Sequence, residues 1–300
     1  MITVFASPAG ASHGIALHKS SSSWHQEESW TGRTGDPPVV GVQIRILGPI
    51  SMISQNVPVP LAGQRQLRVL TALALVSGRT VNTPELIAQL WGEHPPRTAP
   101  GQLQTSVWMI RRSLASVGAP QETVLSTASG YQLDPAHCEI DSDIFRRNVA
   151  TAKKLVRADL KEEALDLLKD ALALWRGPAL ATISSCALQT RAARLEEERV
   201  AALQQRIGLE ITLGQYEEAI VELTDLILLH PLREELYAHL MQALYLSGRQ
   251  ADALAVFRRA RSTLTDELGI YPGPRLTTLE RAILRQDADL LSAVPGMARR

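Results

Sequence analysis

Two cysteines in 300 residues are too few for a disulfide framework. Cys138 and Cys186 stand apart, and His137 beside Cys138 cannot by itself supply the four ligands, or three plus water, that zinc needs, so both thiols read as structural. Aromatic residues make up only 4% of the chain and the formal net charge is zero. No apolar run approaches the roughly 18 residues that cross a bilayer, and the N-terminus lacks the basic start and apolar stretch of a secretory signal. The glycines at Gly41 to Gly48 and Gly208 to Gly214 lack the Lys-Ser/Thr ending or strand-turn-helix placement of a phosphate loop. These absences remove the secreted, membrane-spanning, metal-dependent and nucleotide-hydrolysing classes. The expectation is a cytoplasmic protein that is not an enzyme and carries no cofactor or metal.

What is present divides unevenly. Residues 1–41 contain Ser20 to Ser23, scattered Gly and Pro and no apolar period, which predicts a disordered tail, or residues upstream of the true translation start. The tail is too short for a phosphoacceptor receiver domain, so phosphorelay control is not expected. Residues 42–135 read as a unit of strands and helices. Val42-Gln43-Ile44-Arg45-Ile46-Leu47 predicts a strand closed by Gly48-Pro49, and Val57 to Leu61 a second extended piece. Leu67, Leu70, Leu73, Ala74 and Val76 mark the buried side of a helix from Gln64 to Ser77 ended by Gly78. Asn82 or Thr83 caps the next helix, Pro84 and Glu85 suit its first turn, and Leu86, Ile87, Leu90 and Trp91 face inward before Gly92. Thr123 to Ser126 and Tyr131 to Leu133 predict a hairpin.

Between these lies the most informative helix, Thr98 to Val117. Ala99, Leu103, Val107, Ile110, Leu114 and Val117 recur by fours and threes and form one apolar stripe. Thr105, Trp108 and Arg112 point away from it, flanked by Gln104 and Arg111 and by Gln102 and Met109, with no carboxylate among them. Amides, hydroxyls and guanidinium forks are the groups that read base edges and hold phosphates. An ordinary solvated helix face fits the same residues equally well, although an exposed tryptophan favours contact with a partner. Residues 42–135 carry a net charge of +3 while the rest of the chain is slightly acidic. So small an excess predicts modest monomer affinity for DNA and a need for repeated sites or self-association. Arg65, Arg68 and Arg97 are candidate backbone contacts or, equally, solvated charges.

The remainder is helical. Gly214-Gln215-Tyr216-Glu217-Glu218-Ala219 returns 34 residues later as Gly248-Arg249-Gln250-Ala251-Asp252-Ala253, which is the tetratricopeptide period. A related unit starts at Leu160 with Leu165, Leu168, Ala171, Leu172 and Trp175 on one side. Stacked helix pairs share a core and make a groove. That groove could bind a protein partner, mediate dimerisation or clamp the unit at residues 42–135. Trp175, Tyr216, Tyr237 and Tyr245 read as core, and Glu196-Glu197-Glu198-Arg199 as a solvated face.

Several motifs in fixed order resemble the Streptomyces antibiotic regulatory protein family. They are I-R-I-L-G-P at 44–49, L-x-G-x-R-x-L-R from Leu61, L-W-G-x-x-P-P at 90–96, L-Q-x-x-V-x-x-I-R-R-x-L at 103–114 and G-Y-x-L at 130–133. Downstream, A-L-A-L-W-R-G-P-A-L at 171–180, H-P-L-R-E-E-L-Y-A-H-L-M at 230–241 and D-E-L-G-I-Y-P-G-P at 266–274 resemble the family's bacterial transcriptional activation domain. The resemblance implies a mainly α protein, with an OmpR-type winged helix-turn-helix of α+β type over residues 42–135. An all-α tetratricopeptide-like domain follows over residues 141–290, then a flexible C-terminus at residues 291–300. It implies a nucleoid-associated activator of an antibiotic biosynthetic cluster that reads direct repeats in double-stranded DNA and recruits RNA polymerase holoenzyme; whether it also forms a homodimer stays open. By the same analogy Thr98 to Val117 is the recognition helix, Ser126 and Thr127 begin the wing tip, and Glu93, His94 and Arg97 lie in the loop that meets polymerase. Family wings often carry a basic residue before Gly-Tyr; hydroxyls alone at Ser126, Thr127 and Ser129 imply weaker DNA contact there. The alternatives are a tetratricopeptide-like interaction scaffold whose winged helix serves protein contacts, and a ligand-sensing regulator.

Overall fold

The computed structural model describes residues 41–287 apart from Ala62 and Ser184, so the predicted tail, but for Gly41, and the predicted flexible C-terminus lie outside the described residues, as does the side chain of Cys186. β1 (Val42–Arg45) pairs antiparallel with β2 (Ser51–Ser54), which pairs with β3 (Val57–Pro58). The sequence reading runs one strand to Leu47 and misses β2. The signal for it is Gln55-Asn56, which take φ values of 48° and 64° and supply the left-handed pair that a two-residue hairpin needs.

α1 (Gln64–Ala74), β4 (Val81–Asn82), α2 (Thr83–Trp91) and α3 (Ala99–Ser116) follow. α1 is shorter than predicted because residues 75–78 form turns, and the Asn82 cap of α2 is made without a side-chain hydrogen bond. In α3 the predicted stripe is buried through Leu114, while Val117 lies just past the helix. β5 (Val124–Ser126) and β6 (Gly130–Leu133) form the predicted hairpin, and β4 adds to its other edge to give the order β4-β6-β5. Gly130 is required where the strands cross, since a Cβ there would sit 2.0 Å from the Val81 carbonyl oxygen. These parts make a winged helix-turn-helix.

The chain then returns to the first sheet. β7 (Cys138–Ile140) pairs in parallel with β1, giving the order β3-β2-β1-β7, and α4 (Asp141–Arg157) leaves directly from it. At that exit the buried Asp141 carboxylate accepts the backbone N–H of Ile46 at 2.8 Å and of Leu47 at 3.0 Å, and takes the Arg176 guanidinium at 2.9 Å. Arg176 and Leu180 in turn donate their backbone N–H groups to Leu47 and Ile46. The segment after α5 (Lys161–Ala173) thus runs along the end of β1, so the motifs at 44–49 and 171–180 meet in space. One apolar cluster continues through this joint from Val42 to Ala202.

α6 (Cys186–Thr212) is the spine of the helical half: Leu188, Ala192 and Leu195 belong to the first cluster, and Ile207 and Ile211 to a second built with the later helices. α7 (Tyr216–Leu229), α8 (Glu234–Leu246), α9 (Gln250–Leu268) and α10 (Pro274–Arg285) complete it. The repeat predicted from sequence has a repeated geometry. Gly214 and Gly248 take φ values of 81° and 82°, and the next residue in each copy, Gln215 or Arg249, donates its N–H 2.8 Å to a carbonyl five residues back. Tyr237 and Trp175 are buried and Tyr216 and Tyr245 pack against the core, as their spacing predicts.

The charge run at 196–199 is only in part the solvated face its sequence predicts: Glu197 is exposed, the other three are half-buried, and all four have partners. Glu196 accepts the Ala179 N–H at 2.6 Å, Glu197 pairs with Arg233, and Glu198 takes Arg146 at 2.7 Å. Arg199 lies over the Trp175 ring, 4.9 Å from its centroid. Each partner is on another segment, so only the assembled fold gives these charges their work. Burial pushes the Cys138 thiol up to about 12 and leaves it an inert core group.

Two outcomes follow. Asp141→Ala leaves two buried amides and Arg176 without their acceptor and should cost about 3 kcal/mol or more in denaturant unfolding; an unchanged midpoint would show the joint to be ornamental. Burial also lowers the His239 imidazole from 6.5 to about 4. Below 6.5 the unfolded chain therefore takes up a proton that the fold refuses. Stability should fall as pH drops from 6.5 toward 4, by up to about 3 kcal/mol. Thermal unfolding across that window should show the loss, and His239→Gln should flatten it.

Candidate nucleic-acid interface

α3 is held from behind by α1 and α2, with Leu103, Val107, Ile110 and Leu114 in the core. Its opposite face carries Gln104, Thr105, Trp108 and Arg112, all exposed, with Gln102 half-buried at its edge. Trp108 is 55% exposed, a large apolar surface left in water on an otherwise polar face. The Arg112 guanidinium stacks on that ring 5.3 Å from its centroid. The stack limits the freedom of two long side chains and leaves the planar donor fork presented beside the indole. Nearer the N-terminus, the Gln102 amide donates to the Thr98 hydroxyl at 2.8 Å and the Thr105 hydroxyl donates to the Gly101 carbonyl at 2.9 Å.

Arg111 has a different place. Its Nε and terminal nitrogen donate to the Val124 carbonyl at 2.9 and 2.6 Å, and the terminal nitrogen also reaches the Ser126 hydroxyl at 2.9 Å. The fork read from the sequence as a base or phosphate contact is thus spent on β5. The reason is angular: one step along the helix from Arg112 rotates the side chain by about 100° toward the wing. Thr127 is likewise engaged, its hydroxyl accepting the Gly130 N–H at 3.1 Å within the turn. Ser126 and Thr127 therefore shape the wing, and the short loop 127–129 is its tip. Arg65 is exposed and Arg68 half-buried on α1, while Glu93, His94 and Arg97 are exposed in the loop between α2 and α3.

The sequence offers no signal for Arg111 as an anchor, since its acceptors lie 13 and 15 residues away across an intervening turn. Likewise, nothing local marks Asp141 and Arg176 as the groups that fix the helical half to the sheet. Among the described residues no cluster of His, Cys, Asp or Glu could hold a metal ion, and no helix is long and apolar enough to cross a membrane.

A winged helix-turn-helix continued into stacked helical hairpins defines a class of bacterial transcription regulators, and comparison with known proteins agrees. Residues 140–284 match the bacterial transcriptional activator domain. The chain is 36% identical over 253 residues to the regulatory protein DnrI of Streptomyces peucetius, covering 82% of this chain and 93% of that protein. It is also 36% identical over 260 residues to the regulatory protein AfsR of Streptomyces griseus, covering 86% of this chain but 26% of that longer protein. A solved structure of Mycobacterium tuberculosis EmbR, in complex with a low affinity phosphopeptide, superposes with a TM-score of 0.77 at 35% identity, covering 83% of this chain and 65% of that one. The chain belongs to the Streptomyces antibiotic regulatory protein family of transcription regulators.

Arg111→Ala should release the wing from α3 and cost about 1–3 kcal/mol, because the Val124 carbonyl loses a charge-assisted partner. Hydrogen exchange at the β5 and β6 amides should quicken while α1 amides keep their protection. Equal exchange in both proteins would remove Arg111 from the wing.

Proposed function

We propose that this protein is a sequence-specific DNA-binding transcriptional activator that lays α3 in the major groove of promoter direct repeats. The observation that carries the reading is the exposed, carboxylate-free face of α3 with Arg112 stacked on Trp108. Arg112 is the base-reading fork, suited to the O6 and N7 acceptors of guanine, with Gln102, Gln104 and Thr105 contributing from the N-terminal half and Trp108 packing against the duplex. Arg65, Arg68 and Arg97 contact phosphates, which position the domain without reading sequence. Arg111, Ser126 and Thr127 serve indirectly by setting the angle of the wing.

The loop with Glu93, His94 and Arg97 is the surface offered to RNA polymerase holoenzyme, and the regulated genes form an antibiotic biosynthetic cluster. Both follow from family membership, supported by the loop's full exposure beside α3. The net charge of +3 over residues 42–135 is low for a lone DNA-binding module, so occupancy of adjacent repeats by two copies supplies the affinity that one lacks.

The test is titration of the full chain against promoter fragments from its own genomic neighbourhood at several salt concentrations, with footprinting. Protection of evenly spaced repeats, weakening as salt rises, is expected. Arg112→Ala should cost about 1–3 kcal/mol at one base position and relax specificity there. A uniform loss on every sequence would reassign Arg112 to phosphate. No binding at any salt would make the winged helix a protein-contact module.

A further inference from the structure

At the C-terminal half of α4, a groove of about 420 Å³ opens between α4, α5, α6, α8 and α10. That volume lies within the range of sites that hold small organic ligands. Its chemistry is sorted. Ala152, Val156, Leu168 and Leu209 give it an apolar floor, continuous with the small cluster that packs α4 against α5 and α6. Lys153 and Arg157, one turn apart on α4, stand exposed on its lip, and among the described residues neither has a carboxylate partner. Across from them Arg275 is paired with Glu235, so the acidic side chain of the lining is already neutralised and the lining as a whole is cationic.

The wall between these lips holds the second observation. His239 is 5% exposed and lines the groove, yet its Nδ1 has no hydrogen-bond partner among the described residues. Its ring faces Gly208 of α6, where an added Cβ would meet Nε2 at 3.5 Å, so α6 presents backbone and no side chain at this point. Burial keeps the imidazole neutral near pH 7, so it offers hydrogen bonding without adding charge.

We propose that this groove is a binding site for a small amphipathic carboxylic acid, its apolar body on the Ala152–Leu168–Leu209 floor beside His239 and its carboxylate held by Lys153 and Arg157. A ligand seated there bridges α4, which leaves the sheet at Asp141, to α6 and α8. The site is separate from the α3 face and stands whether or not that face reads DNA.

Isothermal titration of the full chain with sodium decanoate, decan-1-ol and decyltrimethylammonium separates charge from apolar burial, since the three share one tail. Decanoate should bind with one-to-one stoichiometry and at least tenfold more tightly than either other probe. Lys153→Glu with Arg157→Glu should weaken it at least tenfold while leaving the thermal midpoint of the unliganded protein in place. The milder Lys153→Gln with Arg157→Gln should weaken it by a smaller factor. Equal affinity for decanoate and decanol, no decanoate binding, preference for an acidic peptide over decanoate, or insensitivity to both double variants would overturn the proposal.

Discussion

One buried carboxylate decides how the two halves of this molecule meet. Asp141 is the first residue of α4, and its two oxygens are taken by the amides that end β1 and by the guanidinium of Arg176. Burial holds its carboxyl above its ordinary value, against the smaller opposing pull of the two amides and Arg176. An ion pair in such a setting contributes little net stability compared with well-packed apolar groups; what it fixes is geometry, because any other placement leaves a charge and two amides unsatisfied. The helical half is thereby held in one register against the sheet. Arg176 adds backbone to the same purpose, donating its N–H to Leu47 and its side chain to the Pro49 carbonyl.

The consequence reaches α3 by a second route. The Ser185 hydroxyl donates to the Gln89 carbonyl at the end of α2, tying the start of α6 to the helix that supports α3. α6 is 27 residues long and carries side chains in each of the apolar clusters. One end of α6 is thus tied to α2 and the other is buried among the repeat helices. The groove between α4 and α6 lies in this same packed frame.

Local physics made some of this legible and left the rest dark. α3 was readable because its stripe repeats at helical spacing without interruption, and the hairpin closures at Gly214 and Gly248 because the same turn chemistry occurs twice at a fixed interval. Short elements were not. β2, β4 and β7 are two to four residues long, and each exists because a partner strand supplies its hydrogen bonds. The run at 196–199 is half legible for a related reason: four charged residues in a row describe a wet helix face, and the partners Ala179, Arg233, Arg146 and Trp175 come from elsewhere. Long-range partners leave no trace in local periodicity.

Arg111 and Arg112 carry the same argument down to a single step of helix. They are identical in chemistry and adjacent in sequence, and no composition or spacing rule separates them. Yet the turn of the helix sends one guanidinium into the Val124 carbonyl and leaves the other stacked on an exposed indole. A bidentate donor bound to backbone has no fork left for an outside acceptor, whereas one stacked on a ring keeps its in-plane donors outward. Of the paired arginines that make this helix resemble a DNA reader, one ties α3 to the wing and the other rests on Trp108. Arg111 is held within the domain, and Arg112 stays on the exposed side of α3.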